Sequence, residues 1–390
     1  MGAGHLDPTA FERLLDANPE ISGVELSNYG EMFLNPRLRE ILRIAHERKV
    51  VLNAQNGTNL NHASEETLEA LVEYRFGTLS VSIDGASAET YSHYRRKGDF
   101  ERVIRHIETI NRFKRKHFSG FPFLTWQFIV FGHNEHEIEA ARKTATRLGM
   151  AFRPKISWDD EFSPIRNPQL VQIQTGLRAT RSEHYQATGT AYLRSICYQL
   201  WHSPVLNWDG RLMGCCRNFW REFGGNAFED GLRGAMDASG IPAAREALMG
   251  QREMDPASPC TDCDLYLTMK QDGNWLSRAE IERAAPNNHA MVSVVVDAAG
   301  SPATHADVFL APGHEANRLL LARPPAAQRF EIGVSYAVAG AVAPGEYTVC
   351  VLPKQLDPAY RKQYPALPAV THAVTVPERP RAVEYLVRLG

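Results

Sequence analysis

The 390-residue chain lacks several features that mark common classes of protein. No apolar run approaches the ~18 residues that a membrane-spanning helix needs, and no basic stretch followed by an apolar one opens the chain as in a signal peptide. The formal net charge is only −2, which favours neither nucleic acid nor an anionic membrane as a partner. With 44% apolar and 23% charged residues, the composition is that of a globular protein. We therefore expect a cytoplasmic protein of two or three domains.

Cysteine is absent from the first 196 residues. Five cysteines then fall between Cys197 and Cys263, and Cys350 stands alone. Disulfide frameworks of secreted proteins are denser and occur in shorter chains. The clustered thiols therefore suggest a metal site, and Cys350 is expected to be an inert core thiol.

The spacing within this cluster supports a shared site. Asp209-Gly210 lies between two apolar runs and predicts a β-hairpin. Such a hairpin would bring Cys215 back toward Cys197. Cys260 and Cys263 have the spacing of a chelating pair. Four thiolates suit either zinc or an iron–sulfur cluster, and spacing alone does not choose between them.

Short β-rich segments alternate with longer helical ones through the first half, which predicts parallel βα units. A βα array normally begins with a strand, whose C-terminal loop carries active-site residues. This chain begins with a helical pattern after Asp7-Pro8, so one strand and one loop are expected to be missing before Met1. The predicted helices start near 8, 36, 64, 100 and 135, and the predicted strands cover 21–27, 50–53, 79–83, 124–130 and 152–156.

The second half has a different composition. The polar stretch 167–195 predicts a linker, and residues 287–390 hold 11 of the 23 prolines. Short β-branched runs in that last segment predict an antiparallel β-sandwich of about seven strands. Trp158-Asp159-Asp160-Glu161 follows a predicted strand, and it is either a substrate-facing loop or a plain acidic loop.

The cysteine region resembles the SPASM domain of radical S-adenosylmethionine (radical SAM) proteins. The resemblance rests on Cys197 … Asn207-Trp208-Asp209-Gly210 … Cys215-Cys216 … Gly225-Asn226 … Cys260-x-x-Cys263. Full SPASM domains carry further cysteines after this pair and hold two auxiliary clusters, so the resemblance implies at most one auxiliary 4Fe–4S cluster here, with zinc as the alternative. The implied ligands are Cys197, Cys215, Cys260 and Cys263, with Cys216 as an alternative to Cys215.

Two motifs of the first half resemble loops of the same family. Asn28–Pro36 resembles the segment with the Gly-Glu-Pro motif, although Met32 replaces the proline. This likeness implies that Gly30 and Glu31 meet the ammonium group of S-adenosylmethionine. Gln55-Asn56-Gly57 resembles the loop usually written Thr-Asn-Gly, and it implies a cofactor-binding role for Asn56.

The most specific stretch is Val81-Ser82-Ile83-Asp84-Gly85 … Arg95 … Gly98. It is similar to the fourth-strand segment of SPASM-type radical enzymes. The resemblance implies that Ser82 and Arg95 contact the ribose and carboxylate of S-adenosylmethionine, with Asp84 as a weaker candidate.

The radical SAM and SPASM resemblance covers residues 7–270 and implies the first two of three expected domains. Residues 1–190 are expected to form a partial TIM-like (βα) radical SAM barrel without its first strand, and residues 191–286 a SPASM domain. Residues 287–390 resemble transthyretin-like or carboxypeptidase-regulatory-like β-sandwiches. A complete enzyme would abstract hydrogen from a peptide or small-molecule substrate, with a reductase as electron donor. No catalytic residue is predicted.

The chain has no Cys-x3-Cys-x2-Cys loop, which this family needs for its primary cluster. As given, it is expected not to generate a 5′-deoxyadenosyl radical. Either an internal methionine was taken as the start of a longer enzyme, or the protein is a natural relative that has lost catalysis. Retention of Ser82, Arg95 and Gly30-Glu31 favours the first explanation. A non-catalytic binding protein, stabilised by zinc or iron–sulfur and using its β-domain for recognition, is the alternative function.

Overall fold

The computed structural model describes residues 2–285, 290–298, 301–302, 306–313, 328–332, 337–353, 370–378 and 382–389. Parts of the predicted β-sandwich, including 299–300 and 354–369, lie outside the described residues. Within these ranges, no helix is long and apolar enough to cross a membrane.

The first half is built on a five-stranded parallel sheet with strand order β1-β2-β3-β4-β5. This confirms the predicted α/β architecture. The strands are β1 Gly23–Glu25, β2 Val51–Thr58, β3 Thr78–Ser82, β4 Phe123–Val130 and β5 Ala151–Ile156. The helices are α1 Pro8–Ala17, α2 Leu38–Glu47, α3 Glu65–Glu73, α4 Ala88–Tyr94, α5 Phe100–Lys116 and α6 Ile138–Arg147.

Local signals set where these helices begin. Asp7, Ser64 and Asp99 each accept a hydrogen bond from a backbone N–H in the first turn of the helix that follows, which satisfies donors that the helix leaves open. The helices bury one face against the sheet, where Trp126 and Phe128 of β4 are fully buried. Because the strands are parallel, their C-terminal ends meet at one edge, where sites of such folds lie.

The stretch predicted as a linker is helical. It forms α7 Pro168–Thr175 and α8 Arg181–Thr188. Asn167 and Thr180 cap their first turns, and Gly176 and Gly189 end them in the left-handed conformation. The prediction was wrong because these helices bury almost nothing (only Val171 in α7), so they show little apolar periodicity.

The cysteine region folds around its own core, which includes Leu200, Leu212, Ile241 and Leu248. Its elements are α9 Gln199–His202, β6 Val205–Leu206, β7 Leu212–Gly214, α10 Ala227–Ala238, α11 Ile241–Leu248, α12 Asp264–Asp272 and α13 Arg278–Ala284. Strands β6 and β7 pair antiparallel, which confirms the predicted hairpin at Asp209-Gly210.

The described strands of the last hundred residues pair in the order β14-β13-β10-β11-β12-β8-β15, with β9 beside β8. Valines such as Val292, Val308 and Val349 form its core. The predicted antiparallel arrangement is wrong in one place, since β15 runs parallel to β8. The strands are β8 Ala290–Ala298, β9 Ser301–Pro302, β10 Ala306–Pro312, β11 Gln328–Ile332, β12 Ala337–Val342, β13 Gly345–Pro353, β14 Val370–Val376 and β15 Ala382–Leu389.

Candidate functional site

Polar side chains gather where β1 and β2 end. Glu25 closes β1, and its carboxylate accepts hydrogen bonds from the backbone N–H groups of Ser27 (2.9 Å) and Gln55 (3.0 Å). The Ser27 hydroxyl in turn accepts from the N–H of Asn56 at 2.9 Å. Burial raises the pKa of the Glu25 carboxyl, and these hydrogen bonds oppose that rise. Glu25 therefore fixes two strand ends relative to each other, a role that sequence reasoning missed.

Gly30 and Glu31 lie in the loop after β1. Gly30 has φ +71°, and nothing lies within 4 Å of where a Cβ would stand. The Glu31 carboxylate accepts from the N–H groups of Phe33 (3.2 Å) and Asn59 (2.6 Å), so it ties the β1 loop to the segment after β2. Open space at Gly30 and a carboxylate beside it leave room for a cationic group.

Asn56 was expected in a loop, but it lies inside β2. The strand extends to Thr58, with an irregularity in its pairing to β3 between Ala54 and Thr58. Asn56 donates through Nδ2 to Oδ1 of Asn28 at 2.7 Å. The short predicted strand missed this extension because Gln55-Asn56-Gly57 has no apolar alternation.

Ser82 is the last residue of β3, and its side chain is buried. Gly57 has φ +114°, and a Cβ there would stand 2.3 Å from Oγ of Ser82. Gln127 of β4 donates to the same Oγ at 3.3 Å, while its own Oε1 is buried and has no hydrogen-bond partner among the described residues. A buried acceptor without a donor can accept a hydrogen bond from a ligand hydroxyl or amine, or from an ordered water.

Arg95 and Asp84 form an ion pair, with Nε of Arg95 2.6 Å from Oδ2 of Asp84. Asp84 is fully buried, and its other oxygen accepts from the N–H of Ile129 at 2.7 Å. Burial raises the pKa of Asp84 and the guanidinium of Arg95 lowers it. Asp84 thus lies behind Arg95 and orients it, whereas Arg95 is partly exposed.

The cysteines come from three segments. Cys197 precedes α9, Cys215 follows the β6–β7 hairpin, and Cys263 is the N-cap of α12 with Cys260 one turn earlier. All are free thiols. Burial, then the nearby Cys215, Cys263 and Cys260 groups, raise the pKa of Cys197. These four thiols are therefore neighbours.

Backbone N–H groups point at the sulfurs of Cys215 and Cys263, those at Cys263 coming from Leu265 and Tyr266. Those of Arg217 and Asn218 lower the pKa of Cys215, although burial raises it overall to about 11. Burial raises the pKa of Cys260 to about 12. In the described part of the chain, no three His, Cys, Asp or Glu side chains are arranged to bind a single metal ion.

Cys216 faces a different environment from its neighbour Cys215. Its N–H donates to Oε1 of Gln199 at 2.8 Å. Burial raises the pKa of its thiol, and Glu25 and Lys155, both at the strand ends of the parallel sheet, also act on it electrostatically. Burial lowers the pKa of Lys155 to about 8. Cys350 is buried on β13, where it pairs with Phe309 and Thr371 of the β-domain.

The two halves of the candidate site are in contact. The Tyr29 hydroxyl, from the loop after β1, donates to the carbonyl of Cys215 at 3.0 Å and also lies against that of Asn218. Burial, then the Cys215 and Cys216 thiols, raise the pKa of Tyr29. The strand-end loops and the cysteine region therefore share one surface.

Residues 4–145 match the family model of the radical SAM superfamily. The AdoMet-dependent heme synthase of Methanosarcina barkeri (strain Fusaro / DSM 804) is 37% identical over 203 residues, which are 47% of this chain and 55% of that protein. The chain thus spans about half the length of this curated relative.

Two solved structures share a lower similarity. Streptococcus suis SuiB bound to S-adenosylmethionine has 13% identity and a TM-score of 0.47 over 68% of this chain and 65% of that one. The protein anSMEcpe with bound AdoMet has 11% identity and a TM-score of 0.43 over 73% of this chain and 90% of that one.

Proposed function

We propose that this chain is part of a radical SAM/SPASM protein that binds S-adenosylmethionine at the strand ends and one auxiliary 4Fe–4S cluster in the cysteine region. The observation that carries the proposal is that four thiols from three separate segments, one buried and three partly buried, pack into one core beside the loops of residues that match the radical SAM model. Cytoplasmic location belongs to the same proposal.

For the cofactor site, we assign Gly30, Glu31, Asn56, Ser82 and Arg95, with Asp84 as the residue that positions Arg95. The donor set suits the ligand: a carboxylate for an ammonium, a guanidinium for a carboxylate, and a buried hydroxyl beside an unpartnered acceptor for the ribose. The buried Asp84 holds the Arg95 fork in one orientation, which reduces the entropy lost on binding.

For the auxiliary site, we assign Cys197, Cys215, Cys260 and Cys263. Buried thiols with backbone N–H groups directed at sulfur fit a cluster, because those donors stabilise thiolates. Ligands of a four-iron cluster each bind a different iron, so they need not converge on one point as zinc ligands do. When bound, such a cluster supplies an electron acceptor or an anchor for substrate. Cys216 remains outside this set and faces the strand ends.

The 390 residues contain no Cys-x3-Cys-x2-Cys loop. We propose that they bind S-adenosylmethionine without cleaving it, and that a peptide or small-molecule substrate and a reductase belong to the catalytic form. Reading the coding DNA upstream of the Met1 codon separates the two explanations of this absence. An in-frame strand followed by that loop supports a longer enzyme, whereas an immediate in-frame stop rejects it.

The test is anaerobic reconstitution of the purified chain with iron and sulfide. A brown protein with about four irons supports the auxiliary cluster. A colourless protein with one zinc rejects the cluster and supports the alternative, a non-catalytic metal-stabilised binding protein. Equilibrium dialysis with labelled S-adenosylmethionine on the same sample tests the nucleotide site separately, and no saturable binding rejects that part.

A further inference from the structure

The guanidinium groups of two arginines lie over the exposed ring of Trp158, which is in the loop after β5. Its side chain is 57% exposed. The guanidinium carbon of Arg181 lies 3.6 Å from the ring centre, and that of Arg217 lies 4.9 Å from it. Stacking of this kind fixes the plane of a guanidinium and leaves its edge free for a planar acceptor. Three segments meet here: the β5 loop, the start of α8 and the residue after Cys216.

The two arginines differ in their counter-ions. Arg217 pairs with Asp264. No carboxylate of the described residues hydrogen-bonds Arg181, and its buried Nε has no partner. Burial, then the charge of Arg217, lowers the pKa of Arg181 to about 10, so it is cationic at neutral pH. A half-buried cation without a direct counter-ion is costly unless an anion reaches it.

Arg181 lines a cavity of about 350 Å³ between α8 and α12. We call it the Arg181 cavity. Its other polar side chains include Tyr192, Thr268 and Gln271, together with the carboxylates of Asp264 and Asp272, and Asp272 accepts from the Tyr185 hydroxyl. A second cavity of about 450 Å³ shares Arg217 and Asp264 with it and is lined by Cys263. A group held by Arg181 would therefore lie beside the proposed auxiliary site.

We propose that the Arg181 cavity binds a carboxylate of the substrate, an inference that rests on the proposed function and names its substrate class. A guanidinium edge matches the two oxygens of a carboxylate, and the cavity has the size of one side chain or a small acid. Asp160 and Asp264 act on Arg181 electrostatically, which favours a monoanion over a phosphate dianion. The carboxylate comes from an acidic side chain of a peptide or from a small acid.

The test is calorimetric titration of the reconstituted full chain with two pairs of probes. One pair is benzoate and benzamide, and the other is acetyl-Gly-Phe-Glu-Gly-amide and its Gln counterpart. We expect each carboxylate to bind more tightly than its amide. Tighter binding of the peptide assigns a peptide source, and binding of benzoate alone assigns a small acid. Equal binding of carboxylate and amide, or no binding at millimolar concentration, overturns the proposal.

Arg181→Gln should weaken carboxylate binding at least tenfold, and Arg39→Gln on the exposed face of α2 is the control of equal charge. Because α8 buries no residue, the variant should fold normally. Asp264→Asn, which removes the carboxylate that competes for Arg217, should tighten binding. Unchanged affinity in Arg181→Gln refutes the site. The iron content of the same samples distinguishes failure of this site from failure of the proposed cluster. Carboxylate binding without iron supports this site and rejects the cluster. Iron without carboxylate binding supports the cluster and rejects this site.

Discussion

The strand-end site and the cysteine site bury polar groups in opposite ways. At the strand ends each carboxylate already has donors: Glu31 accepts from two backbone N–H groups and Asp84 pairs with Arg95. In the cysteine region burial outweighs the few hydrogen bonds to sulfur, and it raises the pKa of Cys215 to about 11 and that of Cys260 to about 12. Without metal, these thiols are protonated at neutral pH.

This difference separates a site built by folding from one completed by its ligand. A satisfied hydrogen-bond network is organised before a cofactor arrives. Thiols must lose protons to bind metal, so their site gains its stability at the moment of binding. We therefore expect substitutions at the strand ends to weaken binding of S-adenosylmethionine gradually, and substitutions at the cysteines to lower the iron content sharply.

The largest expected effect comes from the adjacent pair Cys215 and Cys216. Cys215→Ser should lower the iron content of the reconstituted protein and alter its visible absorbance, because one iron of the cluster then lacks its thiolate ligand. Cys216→Ser is the matched control, since Cys215 and not Cys216 acts electrostatically on the Cys197 and Cys260 thiols. We expect it to keep the full iron content, measured by metal analysis and visible absorbance. The reverse pattern would exchange the two residues in the ligand set.

A smaller effect is expected at Arg95. Arg95→Ala removes a charge-assisted contact worth roughly 1.5–3 kcal/mol, so affinity for S-adenosylmethionine should fall at least ~10-fold. The neighbouring Arg96 is exposed, and Arg96→Ala is the control. Because the alanine also leaves Asp84 buried without its cation, thermal unfolding must be followed in parallel.

Arg95→Lys separates the contribution of the positive charge from that of the planar guanidinium, since lysine keeps the charge and lacks the planar fork. We expect intermediate affinity with nearly normal stability. Dialysis with labelled S-adenosylmethionine measures both variants, and wild-type affinity in Arg95→Ala would remove this residue from the site.

Periodicity and caps predicted the alternating elements of the first half well, because its helices bury a regular apolar face. They failed at 167–195, where α8 buries nothing. The sequence did not predict which of Cys215 and Cys216 lies beside the other cysteines. That choice depends on the tertiary path of the hairpin, which no local pattern encodes. The contact of Trp158 with Arg181 and Arg217 joins three distant segments. Only its acidic loop was visible in the sequence.

The smallest effect is expected at a buried lysine away from both sites, where the first half of the chain contacts the β-domain. Lys114 is fully buried, and burial lowers its pKa to about 7 while Glu384 of β15 opposes that shift. The unfolded chain holds this proton up to a pKa near 10.5. Between these values the unfolded state binds more protons, so the free energy of unfolding should rise with pH.

Lys114→Met should abolish that rise. From pH 7.5 to 9 the contribution of Lys114 amounts to at most about 2 kcal/mol, measured by denaturant unfolding under reducing conditions. Lys143→Met, at a side chain 76% exposed, is the control and should keep the wild-type slope. If the free energy of unfolding of both variants rises with pH as that of the wild type does, Lys114 is charged in the folded protein. Its charge is then balanced by Glu384 as fully as that of Asp84 is balanced by Arg95.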